Sequence, residues 1–188
     1  MTRCFLLFAS ALALTLSAFA QTKTSGSLDC DKWDASHVIP IPDREGYSYV
    51  IGQNKCTWTK PIAIEGLEAK GFVNTVFDEV MGASVRITAS GVTTYGSGDK
   101  SYTHSSGAIH AKAMTSSGKW TVSGGTGKLH GIRGGGTYTC KMKSTEPGSA
   151  YSCDVEGEYA LPAANKWPPS RPVDLDSRVV VLSSASFA

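Results

Sequence analysis

The stretch WTVSGGTGKLHGIRGGGTYTCKMK, from Trp120 to Lys143, decides the fold that the sequence predicts. We interpret it as a strand, a glycine-rich corner over 124–135 and a second strand over 136–143. Threonines and lysines of the second strand alternate with a less polar set, Tyr138, Cys140 and Met142. One face of that strand is therefore expected to be buried and the other wet. Glycines are costly in regular elements but suit tight turns, so the corner is predicted to fold the sheet back on itself.

The N-terminus has the layout of a secretory signal peptide. Arg3 precedes an apolar run over 5–14, and the small-residue pattern Ala18-Phe19-Ala20 stands before Gln21. We predict cleavage after Ala20 and a secreted or periplasmic protein. The apolar run is shorter than the about 20 residues that a membrane-spanning helix needs, so the chain is not expected to span a membrane once the signal is removed.

Four cysteines follow the predicted cleavage site: Cys30, Cys56, Cys140 and Cys153. An even number in an exported protein indicates two disulfides, and no C-x₂-C zinc pattern is present. Pro147 and Gly148 suit a type II turn, which would bring Cys140 and Cys153 opposite each other in a hairpin. We therefore predict that these two pair, and Cys30 then pairs with Cys56 by elimination.

The remaining sequence shows about eight short segments with strand patterns, joined by Gly, Ser and Pro turns, and no long amphipathic helix. This pattern predicts an all-β, disulfide-stapled, soluble antiparallel barrel, because closure removes exposed strand edges. Residues 62–70 suit a short helix or a loop. Residues 71–80 suit a helix or a strand, and we favour a strand.

Domain boundaries follow from composition. We predict a flexible arm over 21–29, the barrel domain over 30–161 and a proline-rich tail over 162–188. Residues 37–42 contain two prolines and are predicted to form an extended edge segment. Ser116-Ser117-Gly118 is predicted to be a turn before Trp120.

The corner residues resemble those of the allene oxide cyclase and dirigent superfamily of β-barrels. The similarity rests on Gly124-Gly125-Thr126-Gly127-Lys128-Leu129, then Gly131 and Gly134, leading into Gly136-Thr137-Tyr138. It implies an eight-stranded antiparallel barrel with an apolar interior, of the kind that in plants cyclises a fatty-acid epoxide or orients phenoxy radicals. The glycines match as structural positions only: Gly124, Gly125, Gly127, Gly131 and Gly134. The resemblance assigns no catalytic residue to this chain.

Other motifs favour surface or structural roles. Leu129 follows Lys128 where a phosphate loop needs Ser or Thr, so no nucleotide or other cofactor is predicted. His104 and His110 have an even spacing, but two histidines alone seldom bind a metal, and no metal site is predicted. The basic stretch 100–145 contains no Asp or Glu and is compatible with binding to an anionic surface, although a solvated outer face is favoured. Aromatic residues do not interleave with it as in nucleic-acid binding proteins.

Several large aromatic residues are predicted to line the interior, as candidates for contact with a ligand: Trp58, Phe77, Trp120, Tyr138 and Tyr151. Core packing without a ligand is the favoured alternative, because an eight-stranded barrel is just wide enough for its own side chains to fill it. Four carboxylates are assigned to the surface, because no paired acid–base partner is identifiable: Glu65, Glu68, Asp78 and Glu79. The leading hypothesis is a non-catalytic binding or structural module for a small apolar ligand. The alternatives are an isomerase or cyclase acting on an apolar substrate inside the barrel, and an envelope protein that binds an anionic surface.

Overall fold

The computed structural model describes residues 21–144, 146 and 148–162, which form ten β-strands and two short 3-10 helices. The strands are β1 Thr22–Cys30, β2 Ala35–Pro40, β3 Tyr47–Lys60, β4 Ala63–Ile64, β5 Leu67–Met81, β6 Ser84–Tyr95, β7 Lys100–His110, β8 Thr115–Gly125, β9 Arg133–Met142 and β10 Tyr151–Ala160. The 3-10 helices are Ala111–Ala113 and Gly127–Leu129. The predicted signal peptide and residues 163–188 of the predicted tail lie outside the described residues. No helix among the described residues is long and apolar enough to cross a membrane.

Eight strands close into an antiparallel barrel, which confirms the predicted fold class. Around the barrel they follow the order β3, β1, β10, β9, β8, β7, β6 and β5, and β5 pairs back onto β3. Because the sheet is closed, each of these eight strands pairs with a neighbouring strand on both sides. The short β4 pairs with β5, and β2 pairs with β3 alone, as expected for an edge segment.

The register of β9 and β10 agrees with the hairpin predicted from the sequence. Cys140 stands opposite Cys153, and the flanking pairs are Met142 with Tyr151 and Tyr138 with Val155. Both predicted disulfides form, Cys30–Cys56 and Cys140–Cys153. All four cysteines are buried in one cluster that also contains Leu28, so the bridges lie inside the barrel wall.

The glycine-rich corner closes one end of the barrel, which we call the corner end. Leu129 and Ile132 are 0% exposed and pack with buried residues of four strands, Ile64, Ala69, Tyr95 and Tyr159. Gly127 and Gly131 adopt φ angles of 53° and 75°, a region that glycine enters without the steric cost of a side chain. The corner therefore both turns the chain, as predicted, and seals the interior. The opposite end, which carries the β9–β10 connection, is called the turn end.

The prediction of a flexible arm over 21–29 is wrong. These residues form most of β1, which pairs with β10 along its whole length and with β3 over 27–30. The inward positions Thr24 and Gly26 are small, so the strand lacks the apolar alternation that reveals a buried face. The barrel consequently begins at Thr22 rather than at residue 30.

Two further local predictions need correction. Ser116-Ser117-Gly118 lies inside β8, and the chain reverses instead at the 3-10 helix over 111–113. Glycine is needed at position 118 for lack of space and not for a turn, because a Cβ there would lie 2.1 Å from the Ser106 carbonyl oxygen. The ambiguous segment 62–70 contains β4, a tight turn and the start of β5.

Candidate ligand cavity

The barrel encloses a cavity of about 260 Å³, lined by inward side chains from all eight of its strands. By comparison, an engineered apolar cavity of about 150 Å³ in another protein holds benzene. The interior is therefore large enough for a compact organic molecule.

Aromatic rings lie against glycines of strands that are adjacent or one strand apart in the sheet, which keeps the centre of the barrel open. A Cβ at Gly91 would lie 2.3 Å from the Phe72 ring, and one at Gly157 would lie 2.6 Å from Trp120. A Cβ at Gly107 would lie 2.3 Å from the Tyr138 hydroxyl. Because these positions carry no side chain, each ring can approach the strand backbone instead of filling the middle of the barrel.

At the turn end, Trp33 forms part of the cavity wall. Its backbone N–H donates to the Gly148 carbonyl at 2.9 Å, and a Cβ at Gly52 would overlap its ring at 1.8 Å. The half-buried indole is therefore held between the two glycines. Glu146 and Ser149, from the β9–β10 connection, line the same end of the cavity.

A polar cluster interrupts the apolar wall. Asn54 and Asn74 stand opposite each other on β3 and β5, and both side-chain amides donate to the Tyr151 hydroxyl oxygen, at 3.2 and 3.3 Å. Asn54 also donates to the Asp31 carbonyl at 3.0 Å. Since the Tyr151 oxygen accepts two hydrogen bonds, its own proton remains available for donation.

Asp78 lies beside this cluster and is 6% exposed. Burial raises the pKa of its carboxyl from 3.8 to about 6. Neither Asp78 Oδ1 nor the Tyr138 hydroxyl has a hydrogen-bond partner among the described residues. An acid of this kind can exchange a proton near neutral pH, which is a property of many functional sites.

The two neighbouring tyrosines remain protonated at neutral pH. Burial, followed by the nearby Tyr151 and Asp78, raises the pKa of Tyr138 to about 12. Burial also raises the pKa of Tyr151, although the hydrogen bonds from Asn54 and Asn74 act in the opposite direction. The cluster therefore offers one carboxyl group and two neutral hydroxyl groups.

Four of the five predicted lining residues lie on the cavity wall: Trp58, Trp120, Tyr138 and Tyr151. Phe77 does not, and that prediction is wrong. Its side chain is 40% exposed on the outer face of β5 and stacks on Tyr49, with ring centroids 5.2 Å apart. The assignment of Asp78 to the surface is also wrong.

Both errors have one cause in β5. The apolar residues of 71–80 fall on both faces of the strand, so their spacing does not select the inner one. The inner face carries alternate residues, Phe72, Asn74, Val76, Asp78 and Val80. Asn74 and Asp78 share the parity of Phe72 and Val76, and this is the signal that sequence analysis could have used. Asn54 alternates in the same way with Val50 and Cys56 on the inner face of β3. Trp33 lies outside the strands and has no comparable signal.

The remaining sequence candidates lie outside the cavity. His104 and His110 are exposed on β7, and His110 Nε2 lies 3.0 Å from the Ser117 hydroxyl. Lys119 and Lys141 are exposed on the outer faces of β8 and β9. Within the described part of the chain, no three His, Cys, Asp or Glu side chains form a group that could hold a metal ion.

No protein-family model and no curated protein matches the sequence. Among solved structures, the chain is similar to the pterocarpan synthase dirigent protein GePTS1, with 12% identity over 84% of this chain and 100% of that chain, and a TM-score of 0.46. It is also similar to the pterocarpan synthase dirigent protein PsPTS1, with 10% identity over 77% of this chain and 97% of that chain, and a TM-score of 0.45.

Proposed function

We propose that this protein is an exported barrel that binds a compact, largely apolar small molecule in its central cavity. The observation that carries the proposal is the cavity itself, about 260 Å³ in volume, with aromatic walls and the unpaired polar atoms of Asp78 and Tyr138. A buried polar atom without a partner costs about 1–3 kcal/mol of stability. Trp58 Nε1, on the same cavity wall, is a third atom of this kind among the described residues. Three such atoms beside a cavity favour recognition of a ligand's polar group over a purely structural interior.

Export is supported by two independent features. The first 20 residues have the pattern of a signal peptide, and the four cysteines of the barrel form two disulfides. Disulfides persist in oxidising compartments and are rare in the cytosol.

Native mass spectrometry of protein purified from its own host tests the binding function. We expect a fraction of the protein to carry a bound organic molecule that denaturation releases. Ala89→Phe should abolish this adduct, because Ala89 lines the cavity and is 5% exposed. Ser90→Phe, at the adjacent exposed position, is the matched control and should retain it. Protein that is consistently empty would contradict the proposal.

An isomerase or cyclase is the second candidate, and the buried acid favours it. Asp78 is positioned to take a proton from one atom of a bound substrate and return it to another, since its pKa lies near neutral pH. Such a reaction changes no mass and needs no other reactant. In this case incubation of the released molecule with the protein should yield an isomer with a different chromatographic retention time. Asp78→Asn should slow its formation by about 10²-fold or more; an unchanged molecule would contradict catalysis while leaving binding intact.

A further inference from the structure

Resting on the proposed binding function, we infer that the ligand is an organic cation: a compact apolar molecule with a protonated amine that pairs with Asp78. Three features of the cavity support it: its charge, its free hydrogen-bond acceptors and its aromatic wall.

The formal charge of the cavity lining is negative. Among the described lining residues there is no Lys, Arg or His, and the two carboxylates are Asp78 and Glu146. The other ionisable groups that line it are tyrosines, Tyr95, Tyr138, Tyr151 and Tyr159. Asp78 is buried, whereas Glu146 is exposed at the turn end. An anionic ligand would meet the buried carboxylate and no cation, whereas a cation would meet its counter-ion.

Two of the three unpaired polar atoms on the described cavity-lining residues can accept a hydrogen bond, and the third, Trp58 Nε1, is a donor. An ammonium group donates hydrogen bonds and accepts none. Asp78 Oδ1 is an acceptor without a partner among the described residues, and the Tyr138 hydroxyl oxygen is a second. The Tyr151 oxygen is already occupied by the two asparagine amides. The acceptors of the cluster that lack a partner among the described residues are therefore Asp78 Oδ1, the Tyr138 hydroxyl oxygen and Asn54 Oδ1, of which the first two belong to residues that line the cavity.

The aromatic wall adds a second attraction for a cation. Trp58, Phe72 and Trp120 line the cavity together with the two tyrosines of the cluster. The face of an aromatic ring attracts a cation, and the attraction is stronger where water is excluded.

Pairing of Asp78 with a ligand ammonium group would stabilise the ionised carboxylate as well as the bound ligand. An ionised carboxylate in an apolar interior is costly unless it is paired, and a ligand ammonium group supplies the missing partner. The neighbours of Asp78 on β3 and β6 are Val50 and Ile87, neither of which ionises. The ionisable groups that interact with it are Tyr138 and Tyr151. The other carboxylate of the lining, Glu146, is exposed at the turn end. Affinity for an amine should therefore follow the ionisation of Asp78.

Isothermal titration calorimetry with three probes of one shape tests this assignment: 2-naphthylmethylamine, 2-naphthylmethanol and 2-naphthoic acid. At pH 7.5 we expect the amine to bind about tenfold more tightly than the alcohol. The acid should bind most weakly. Between pH 7.5 and pH 5 the advantage of the amine should shrink, since Asp78 gains a proton while the amine stays charged.

Asp78→Asn should lower the affinity for the amine to about that for the alcohol, because the variant cannot supply the counter-ion. Asp29→Asn, at an exposed position of β1, is the matched control and should bind all three probes like the wild type. Alcohol or acid binding that equals or exceeds amine binding would overturn the cation assignment and leave the binding function standing. Failure of all three probes to bind would overturn both.

Discussion

At the scale of single residues, the most informative position is Asp78. Its carboxyl is enclosed by apolar neighbours on β3 and β6 and has an oxygen without a hydrogen-bond partner among the described residues. Sites of this kind reduce folding stability in exchange for chemistry or recognition. The cost should be measurable, because it depends on pH.

Asp78→Asn should stabilise the protein at neutral pH. Burial raises the pKa of Asp78 from 3.8 in the unfolded reference to about 6, so the folded protein binds this proton more tightly. This bound proton stabilises the folded wild type. The stabilisation is fully present below about pH 4 and is lost as the pH rises through about 6. We therefore expect the Asn variant to be more stable than the wild type by up to about 3 kcal/mol at pH 7.5, and by much less at pH 4.

Urea unfolding at the two pH values measures this difference. Asp29→Asn, the same substitution at an exposed position of β1, provides the comparison. A difference between wild type and Asp78→Asn that is the same at pH 4 and pH 7.5 would contradict the burial of this carboxyl.

Gly91 and Gly71 form a matched pair that tests the contacts between glycines and rings. Gly91→Ala should destabilise the protein by about 1–3 kcal/mol, because its Cβ would overlap the Phe72 ring at 2.3 Å. Gly71→Ala should be neutral or slightly stabilising, since nothing lies within 4 Å of its Cβ position. Thermal and urea unfolding of the two variants measure the contrast. Equal effects would mean that Phe72 does not lie against Gly91.

At the scale of elements, alternation predicted strands well where one face is distinctly apolar. The β9–β10 hairpin follows the predicted register from Tyr138–Val155 to Met142–Tyr151 because cysteines and aromatics mark its inner face. β1 was not predicted as a strand, because its inner positions include the small residues Thr24 and Gly26 and so do not form an apolar face. In β5, inner polar residues and the outer Phe77 obscured which face is buried.

Each disulfide should contribute separately to the stability of the elements that it joins. Cys140–Cys153 closes a separation of 13 residues within one hairpin, and Cys30–Cys56 closes one of 26 between β1 and β3. Chain entropy gives about 3 kcal/mol for loops of these sizes. We expect replacement of either pair by serines to lower the free energy of unfolding by that order, and replacement of both to lower it further. Full stability after removal of both bridges would contradict their structural role.

At the scale of the whole molecule, the corner end acts as a plug. Leu129→Ala should lower the free energy of unfolding by about 2–5 kcal/mol, because Leu129 is 0% exposed at the centre of the plug. Val38→Ala, on the edge strand β2 where the side chain is 62% exposed, should change it by less than about 0.5 kcal/mol. Chemical denaturation of both variants tests the difference, and similar values for the two would contradict a sealed end.

The closed barrel could be predicted from sequence, but the cavity could not. Strand number, turns and the glycine corner are local features. The cavity depends on which ring faces which glycine across separate strands, for example Trp120 and Gly157. The polar cluster likewise joins Asn54, Asn74 and Tyr151 from three strands, and only the register brings them together.

The hollow barrel keeps the carboxyl group of Asp78 buried in its interior. NMR titration of the side-chain carboxyl carbon of Asp78 in selectively ¹³C-labelled protein measures this most directly, with Asp78→Asn used to assign the resonance. The structure predicts a midpoint at about pH 6. A midpoint near pH 4, the ordinary value for an aspartate in water, would contradict it.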